Sequence, residues 1–155
     1  MAAEPTAMKK IYFYRVEEPY GFLSNFSPHP IVLDGQLWPT VEHYYQAQKF
    51  VGTPHGDLVD YIRQLPTPEQ AAQTGRNPRY QRRPDWDQVK REVMLKAVRC
   101  KFHSHPDLAR QLLATGDAEL IENSPTDWYW GCGADGRGCN HLGRILMQVR
   151  QELRR

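Results

Sequence analysis

Apolar side chains recur at helical spacing in two long segments of the second half of the chain, and this periodicity constrains the fold more than any other feature. One segment begins at Asp85 or Trp86. Its apolar positions occupy a single helix face, at Val89, Val93, Ala97 and Cys100. The second segment runs from His141 to about Leu153 and carries a stripe of the same kind. Most of this half is therefore predicted to be helical.

Shorter helical patterns precede and connect these two segments, at residues 41–51, 57–65, 67–75 and 104–116. The β-forming residues are concentrated at the front of the chain. Ile11 to Val16 is β-branched and aromatic, which favours a strand. Asp34-Gly35 separates two short apolar runs and predicts a hairpin over residues 31–38. We therefore predict an α+β fold that is mainly α, with a small N-terminal β element.

The composition is that of one compact domain over residues 11–155, preceded by a disordered tail at residues 1–10. Hydrophobic residues make up 40% and charged residues 25% of the 155-residue chain, which is typical of a globular protein. The net charge of +2 argues against general binding to nucleic acid or membranes by charge alone. Three cysteines are an odd number without the spacing of a disulfide framework, which favours a reducing compartment. Together with the lack of an apolar leader or membrane-spanning run, this predicts the cytoplasm, or the nucleus of a eukaryote.

Polar residues recur on one face of the predicted helix at 41–51, where core residues would be expected. Glu42, Tyr45 or Gln46, and Lys49 follow one another at spacings of three and four. If Thr40 caps this helix, Glu42 lies in the first turn, where the helix dipole favours the carboxylate. Such a group suits a base or a charge stabiliser. The alternative is a solvated helix face with an ordinary first-turn glutamate.

A second carboxylate, Asp127, lies among large rings in the sequence Thr126-Asp-Trp-Tyr-Trp-Gly131. Removal from water could raise its pKa and let it donate a proton. The alternative is an ordinary loop aspartate that accepts hydrogen bonds from backbone amides.

Two irregular segments have features of anion sites. The glycine-rich run Gly131 to Asn140 precedes a helix and could offer unpaired backbone amides to a phosphate, or could simply be a turn. The run from Gly75 to Pro84 could grip phosphates, or could be a solvated basic loop. It has no acidic residue and four arginines, Arg76, Arg79, Arg82 and Arg83.

No metal or other cofactor is predicted. Cys132, Cys139 and His141 follow a spacing that is not typical of zinc sites, and no fourth ligand lies nearby. Cys100 falls on the apolar stripe of its helix and is predicted to be a small core residue.

Four motifs together resemble the YbiA-like, or NADAR, family from about Tyr12 to Leu153. They are Tyr20-Gly-Phe-Leu-Ser-Asn-Phe26, Trp38-Pro-Thr-Val-Glu-His-Tyr-Tyr-Gln-Ala-Gln-Lys-Phe50, Arg83-Pro-Asp-Trp86, and Asp127-Trp-Tyr-Trp-Gly131 through Asn140-His-Leu-Gly143. The resemblance implies a compact, mostly helical domain with a cleft for ADP-ribose or a phosphoribosyl compound. It also implies cleavage of N-glycosidic bonds.

Carried over onto this chain, the family's catalytic positions fall on Glu42, Trp86 and Asp127. Lys49 is a further candidate, because an amine can capture an opened ribose aldehyde as a Schiff base. Glu42 is expected to stabilise charge or activate water, and Asp127 to act as the acid. Trp86 and Trp130 are expected to form aromatic walls. The other substrate contacts are expected from the matching motifs and the two anion segments. The predicted substrate-binding residues are Asn25, Tyr45, Arg76, Arg79, Trp130, Gly136, Gly138 and Asn140.

The chain departs from the family pattern at Cys132 and Cys139, where bacterial members tend to carry Asp and Lys. These changes bear on the phosphate end of the site and on the choice of substrate.

The predicted activity is that of an N-glycosidase that removes ADP-ribose from ADP-ribosylated guanine in nucleic acid. Alternatives are hydrolysis of phosphoribosylamino-pyrimidine intermediates of riboflavin biosynthesis, a non-catalytic reader of ADP-ribose, and a general nucleic-acid-binding module. The expected partners are therefore the ADP-ribose or phosphoribosyl substrate and ADP-ribosylated DNA or RNA, with no membrane partner and no particular oligomeric state.

Overall fold

The structure is a computed structural model and describes residues 9–155. Residues 1–8 of the predicted tail lie outside the described residues, whereas Lys10 already belongs to the first strand. In chain order the elements are β1 (Lys10–Phe13), β2 (Ile31–Leu33), β3 (Gln36–Trp38), α1 (Val41–Gln48), α2 (Asp57–Arg63), α3 (Pro68–Gly75), α4 (Trp86–Ser104), α5 (Pro106–Ala114), β4 (Glu119–Glu122) and α6 (His141–Leu153). The predicted α+β class, mainly helical, is confirmed. No helix within the described residues is both long and apolar enough to span a membrane.

The chain forms two compact units, one from Ser24 to Pro106 and the other from the residues up to Leu23 together with Asp107 to Arg155. In the Ser24–Pro106 unit, α1 packs against α2, α3 and α4. The predicted hairpin is present as β2 and β3, with Asp34 and Gly35 at positive φ in the turn.

Helix α3 begins as its sequence predicts. Thr67 accepts a hydrogen bond from the amide of Gln70, whose side chain returns to the Thr67 backbone, and Pro68 occupies the first turn. This capping box satisfies amide groups that would otherwise be unpaired at the helix start. Helix α1 ends at Gln48, three residues earlier than predicted.

In the other unit, β1 and β4 pair in parallel, with Ile11 opposite Leu120, and α6 packs against β4. Strand β4 therefore departs from the prediction that the β structure is concentrated at the front of the chain, and the predicted first strand ends at Phe13 instead of Val16. Strand β4 has only four residues and gains its hydrogen bonds from a partner far away in the sequence. Its local sequence carries little signal of that pairing.

Candidate functional site

The start of α1 fixes the position of Glu42. Thr40 caps the helix, as predicted, because its Oγ1 accepts a hydrogen bond from the amide of His43 at 3.1 Å. The amide of Glu42 donates to the carbonyl oxygen of Asn25 at 3.2 Å. Asn25 in turn donates from Nδ2 to the sulfur of Met94 at 3.3 Å. The first turn of α1 is thus tied both to its own cap and to the preceding loop.

The polar face of α1, which we define as Glu42, Gln46 and Lys49, is buried. These side chains are only 5%, 1% and 9% exposed, respectively. Gln46 donates from Nε2 to Glu42 Oε1 at 2.8 Å, while Gln46 Oε1 has no hydrogen-bond partner. The alternative of a solvated helix face is therefore wrong. Buried polar groups of this kind are costly unless they are paired or reserved for function.

Lys49 ends the polar face with an amine that is easily deprotonated. Nζ donates to the carbonyl oxygen of Gly75 at 3.2 Å and lies 5.7 Å from the centre of the Tyr45 ring. Burial lowers the pKa of Lys49 to about 8. The charge of Glu42 opposes this change, and those of Arg76, Arg82 and Lys90 add to it. A lysine with such a pKa is neutral in about one molecule in ten at pH 7, far more often than an ordinary lysine, and the neutral amine is the form that acts as a nucleophile.

Gly75 contributes to this site in a way that its sequence position does not reveal. A Cβ atom at Gly75 would lie 2.0 Å from Gln46 Oε1, so only glycine allows α3 to approach the polar face this closely. Its carbonyl also accepts the bond from Lys49. The sequence marks Gly75 only as the end of a helix.

Tyr45 and Trp86 form an aromatic pair beside the polar face. Both side chains are buried, with a distance of 5.1 Å between the ring centres. Trp86, the first residue of α4, is only 1% exposed. In this structure Trp86 packs against Tyr45, and its role as a stacking wall stays a prediction.

The four arginines of the basic loop are not equivalent. Arg83 makes two hydrogen bonds to Asp85, at 2.6 and 2.9 Å, and Arg82 pairs with Asp87 at 3.2 Å. Arg76 and Arg79 are exposed, and no carboxylate among residues 9–155 forms an ion pair with either. These two residues therefore carry the positive charge that remains for a ligand.

Asp127 lies in the other unit and organises a turn. Its Oδ1 accepts hydrogen bonds from the amides of Tyr129 and Trp130, at 3.0 and 2.7 Å. The amide of Asp127 donates to Ser124 Oγ at 3.1 Å. These are the backbone contacts of the ordinary loop aspartate. The function of Asp127 as an acid stays a prediction, as does that of the half-buried Trp130, whose ring meets Tyr129 edge-on at 4.8 Å.

The prediction that the glycine-rich run offers unpaired amides is wrong for its second half, from residue 136 onward. Every backbone amide from residue 136 to residue 142 donates a hydrogen bond. Gly136 donates to Gly133, Gly138 to Cys132, and the next four amides to carbonyls of residues 128–131. The reason is that the segment folds back along residues 128–132 and pairs with it. Because a Cβ at Gly138 would lie 2.5 Å from the carbonyl oxygen of Gly131, glycine is required for this approach.

Asn140 also uses its side chain inside this unit. It lies in the left-handed region at φ 53°, donates from Nδ2 to the Leu120 carbonyl at 2.9 Å, and accepts from the Glu122 amide at 3.0 Å. Both ends of the amide thus bind β4. The assignments of Gly136, Gly138 and Asn140 to substrate binding stay predictions, now without free backbone donors to support them.

The cysteines are all reduced, with Cys132 buried and Cys139 exposed. Within residues 9–155, no three His, Cys, Asp or Glu side chains are grouped so that they could hold a metal ion.

Comparison with known proteins gives a consistent assignment. The sequence profile of the NADAR domain matches residues 12–154. The chain is 55% identical to the N-glycosidase Npun_R5314 of Nostoc punctiforme over 93% of this chain and 92% of that protein. It is 51% identical to the riboflavin biosynthesis protein VVA0006 of Vibrio vulnificus, over 92% of this chain but only 38% of that longer protein.

The fold agrees with the NMR structure of the Escherichia coli protein YbiA. The TM-score is 0.85 and the sequence identity 44%, over 94% of this chain and 85% of that one. The match therefore extends through both compact units. On this basis the chain belongs to the NADAR domain family, and it is an enzyme of the N-glycosidase class.

Proposed function

We propose that the protein hydrolyses the bond between ribose C1 and the exocyclic amine of ADP-ribosylated guanine in nucleic acid. The observation that carries this proposal is the buried polar face of α1, where a carboxylate and a lysine with a pKa of about 8 occupy one helix face. Cleavage of an N-glycoside places positive charge on the ribose, and a buried carboxylate stabilises such charge far better than one in water.

In the route we favour, the ribose ring opens, with O4′ taking up a proton, and C1 becomes an imine to the guanine amine. The neutral amine of Lys49 adds to C1, and the guanine amine leaves with a proton. Water then hydrolyses the lysine imine and releases the sugar aldehyde with the free lysine. Glu42 stabilises the cationic intermediates, and Gln46 holds Glu42 in place through its 2.8 Å hydrogen bond. Asp127 is the proposed proton donor to the leaving amine. In a second route, Glu42 activates water for direct attack.

The charge on the basic loop supports ADP-ribose as the transferred group. Arg76 and Arg79 are two exposed guanidinium groups without carboxylate partners among residues 9–155. A pyrophosphate can engage both, whereas a single 5′-phosphate needs only one. We place the activity in the cytoplasm, or in the nucleus if the source is eukaryotic, because ADP-ribosylated nucleic acid would be found there.

A second candidate is hydrolysis of phosphoribosylamino-pyrimidine intermediates. The relative VVA0006, named a riboflavin biosynthesis protein, supports it at 51% identity. That substrate has the same bond between ribose C1 and an exocyclic amine, so the polar face of α1 would act on it in the same way.

The experiment is a direct competition. The protein is incubated with an ADP-ribosylated guanine oligonucleotide and a phosphoribosylamino-pyrimidine, and the released base and sugar are followed by mass spectrometry. We expect faster release of ADP-ribose, and stronger product inhibition by ADP-ribose than by ribose 5-phosphate. Faster cleavage of the pyrimidine would favour the second candidate. Binding of ADP-ribose without any cleavage would favour a non-catalytic reader.

A further inference from the structure

A pocket of about 550 Å³ lies in the Ser24–Pro106 unit, and its lining residues fall on both sides of Gly75 in the sequence. Helices α2 and α3 and the loop after α3 supply its walls. The residues that matter for its chemistry are Asp57, Tyr61, Gln73, Thr74, Asn77 and Tyr80. No role in the proposed reaction is assigned to any of them.

Two connections link the lining of this pocket to residues at and beside Lys49. Thr74 directly precedes Gly75, whose carbonyl accepts the hydrogen bond from Lys49. The ring of Tyr80 packs edge-on against Phe50, the residue after Lys49, with 6.3 Å between ring centres. The pocket lining is therefore connected to Lys49 through Gly75 and Phe50.

The lining of the pocket matches a nucleobase. Tyr61 is 56% exposed, so its ring is open to a ligand. Tyr80 is held in place by ring contacts to Phe50 and to His55, the latter at 5.4 Å. Amide, hydroxyl and carboxylate groups of Asp57, Gln73 and Thr74 supply hydrogen-bond donors and acceptors. Aromatic rings with such polar groups form the usual surface on which bases stack.

The charge beside the pocket matches a phosphate. Arg76 and Arg79 alternate along the chain with the lining residues Thr74, Asn77 and Tyr80. Both arginines are exposed and lack carboxylate partners within residues 9–155. The ring of Tyr80 and the two arginines thus come from one short segment of the chain, and Tyr61 is supplied by α2.

We propose that this pocket binds one nucleoside monophosphate unit, with its base against Tyr61 and Tyr80 and its phosphate toward Arg76 and Arg79. Binding of such a unit does not depend on the proposed reaction. The identity of the molecule that supplies this nucleotide unit rests on the proposed function, and two sources have the same chemistry. One is the adenosine end of the ADP-ribosyl group, and the other is the nucleotide next to the modified guanine.

The first test uses adenosine 5′-monophosphate as the probe and needs no turnover. Calorimetric titration is expected to detect binding to the unmodified protein, and binding about tenfold or more weaker to Tyr61→Ala, as the loss of one stacking ring implies. Tyr61→Phe should restore affinity. Tyr14→Ala is the matched control, because Tyr14 is also exposed, at 41%, and lies in the other unit. Absence of binding, or equal affinity of Tyr61→Ala and Tyr14→Ala, would overturn the proposal.

The second test identifies the source of the unit. The KM of Tyr61→Ala is measured for ADP-ribosyl guanosine and for the same modification within an oligonucleotide. A raised KM for both substrates assigns the pocket to the adenosine end, and a raised KM for the oligonucleotide alone assigns it to the neighbouring nucleotide. An unchanged KM for both would overturn the assignment of the pocket to either source. If neither substrate is cleaved, the proposed function fails, while the titration still decides whether the pocket binds the nucleotide.

Discussion

The polar face of α1 and the glycine-rich run both have sequences that suggest function, but they handle their polar groups in opposite ways. On α1, Glu42 and Lys49 are buried next to a glutamine oxygen, Gln46 Oε1, that has no hydrogen-bond partner. In the run from Gly131 to Asn140 and just beyond, the backbone amides from residue 136 to residue 142 all bind acceptors within their own unit. The first region contains a buried acceptor that the fold does not use, whereas the second uses its backbone donors to hold its own fold.

This difference distinguishes residues expected to act in binding or reaction from residues that hold the fold together. A buried carboxylate and a lysine with a lowered pKa cost stability, so their presence favours a role in binding or reaction. The paired amides of residues 136–142 stabilise the fold and are not free to bind an anion. We therefore expect substitutions on α1 to change turnover and substitutions in the glycine-rich run to change stability.

The largest expected effect is that of Glu42→Gln. The fold should persist, because glutamine keeps the shape of the side chain, while turnover should fall by about 10²–10⁴-fold, the range for a positioned acid–base group. Steady-state release of ADP-ribose measures this loss. Glu69→Gln is the control, since Glu69 is also a first-turn glutamate but is exposed, on α3. Similar activity of the two variants would remove Glu42 from the reaction.

Trp86→Ala tests whether the aromatic pair belongs to the core or to the substrate. Because Trp86 is almost fully buried against Tyr45, its loss should lower the free energy of unfolding by about 3–5 kcal/mol. Denaturant unfolding gives this value, and substrate affinity is then measured on the folded fraction. Weaker affinity with unchanged stability would instead identify Trp86 as a stacking wall.

Asn140→Ala should have a smaller effect, and on stability alone. The substitution removes two hydrogen bonds to β4, worth together about 1–3 kcal/mol. Thermal unfolding should occur at a lower temperature, while kcat per folded molecule stays close to that of the unmodified protein. A variant of normal stability that has lost substrate affinity would show that Asn140 binds substrate after all.

The smallest effect is a pH dependence of stability caused by Lys49. Its pKa is about 8 in the folded protein, against an ordinary value of 10.5, so the unfolded chain binds more protons between these values. The burial penalty is therefore complete below pH 8 and is relieved as the pH rises. Relative to Lys49→Met, the unfolding free energy should increase by about 1 kcal/mol from pH 8 to pH 9. A constant difference between the two proteins would contradict the lowered pKa.

Local signals in the sequence predicted much of the fold. Thr40 and Thr67 cap their helices, and Asp34-Gly35 forms the hairpin turn, because each depends on residues only a few positions apart. Strand β4 depends on a distant partner, β1, and was not predictable in this way.

The candidate site was predictable to a similar degree. Residue types and helical spacing indicate the polar face of α1, but burial in the folded chain decides the pKa of Lys49. In the same way, glycine content suggested free amides, whereas the pairing of residues 136–142 depends on how the chain folds back along residues 128–132.

The central claim is that Lys49, on the polar face of α1, forms an imine with ribose C1. Trapping with borohydride tests this claim most directly. Lys101 is a stringent internal control, because it is also buried and its pKa is lowered to about 7. Its Nζ, however, donates to the Ser24 carbonyl and to Ser27 Oγ, at 3.0 and 2.7 Å.

Borohydride is added during turnover, and the protein is analysed by intact mass and peptide mapping. Reduction of the imine would leave a stable secondary amine. We predict a single sugar adduct on the peptide that contains Lys49 and none on the peptide that contains Lys101. Continued turnover without an adduct on Lys49, or an adduct on Lys101 instead, would contradict the account.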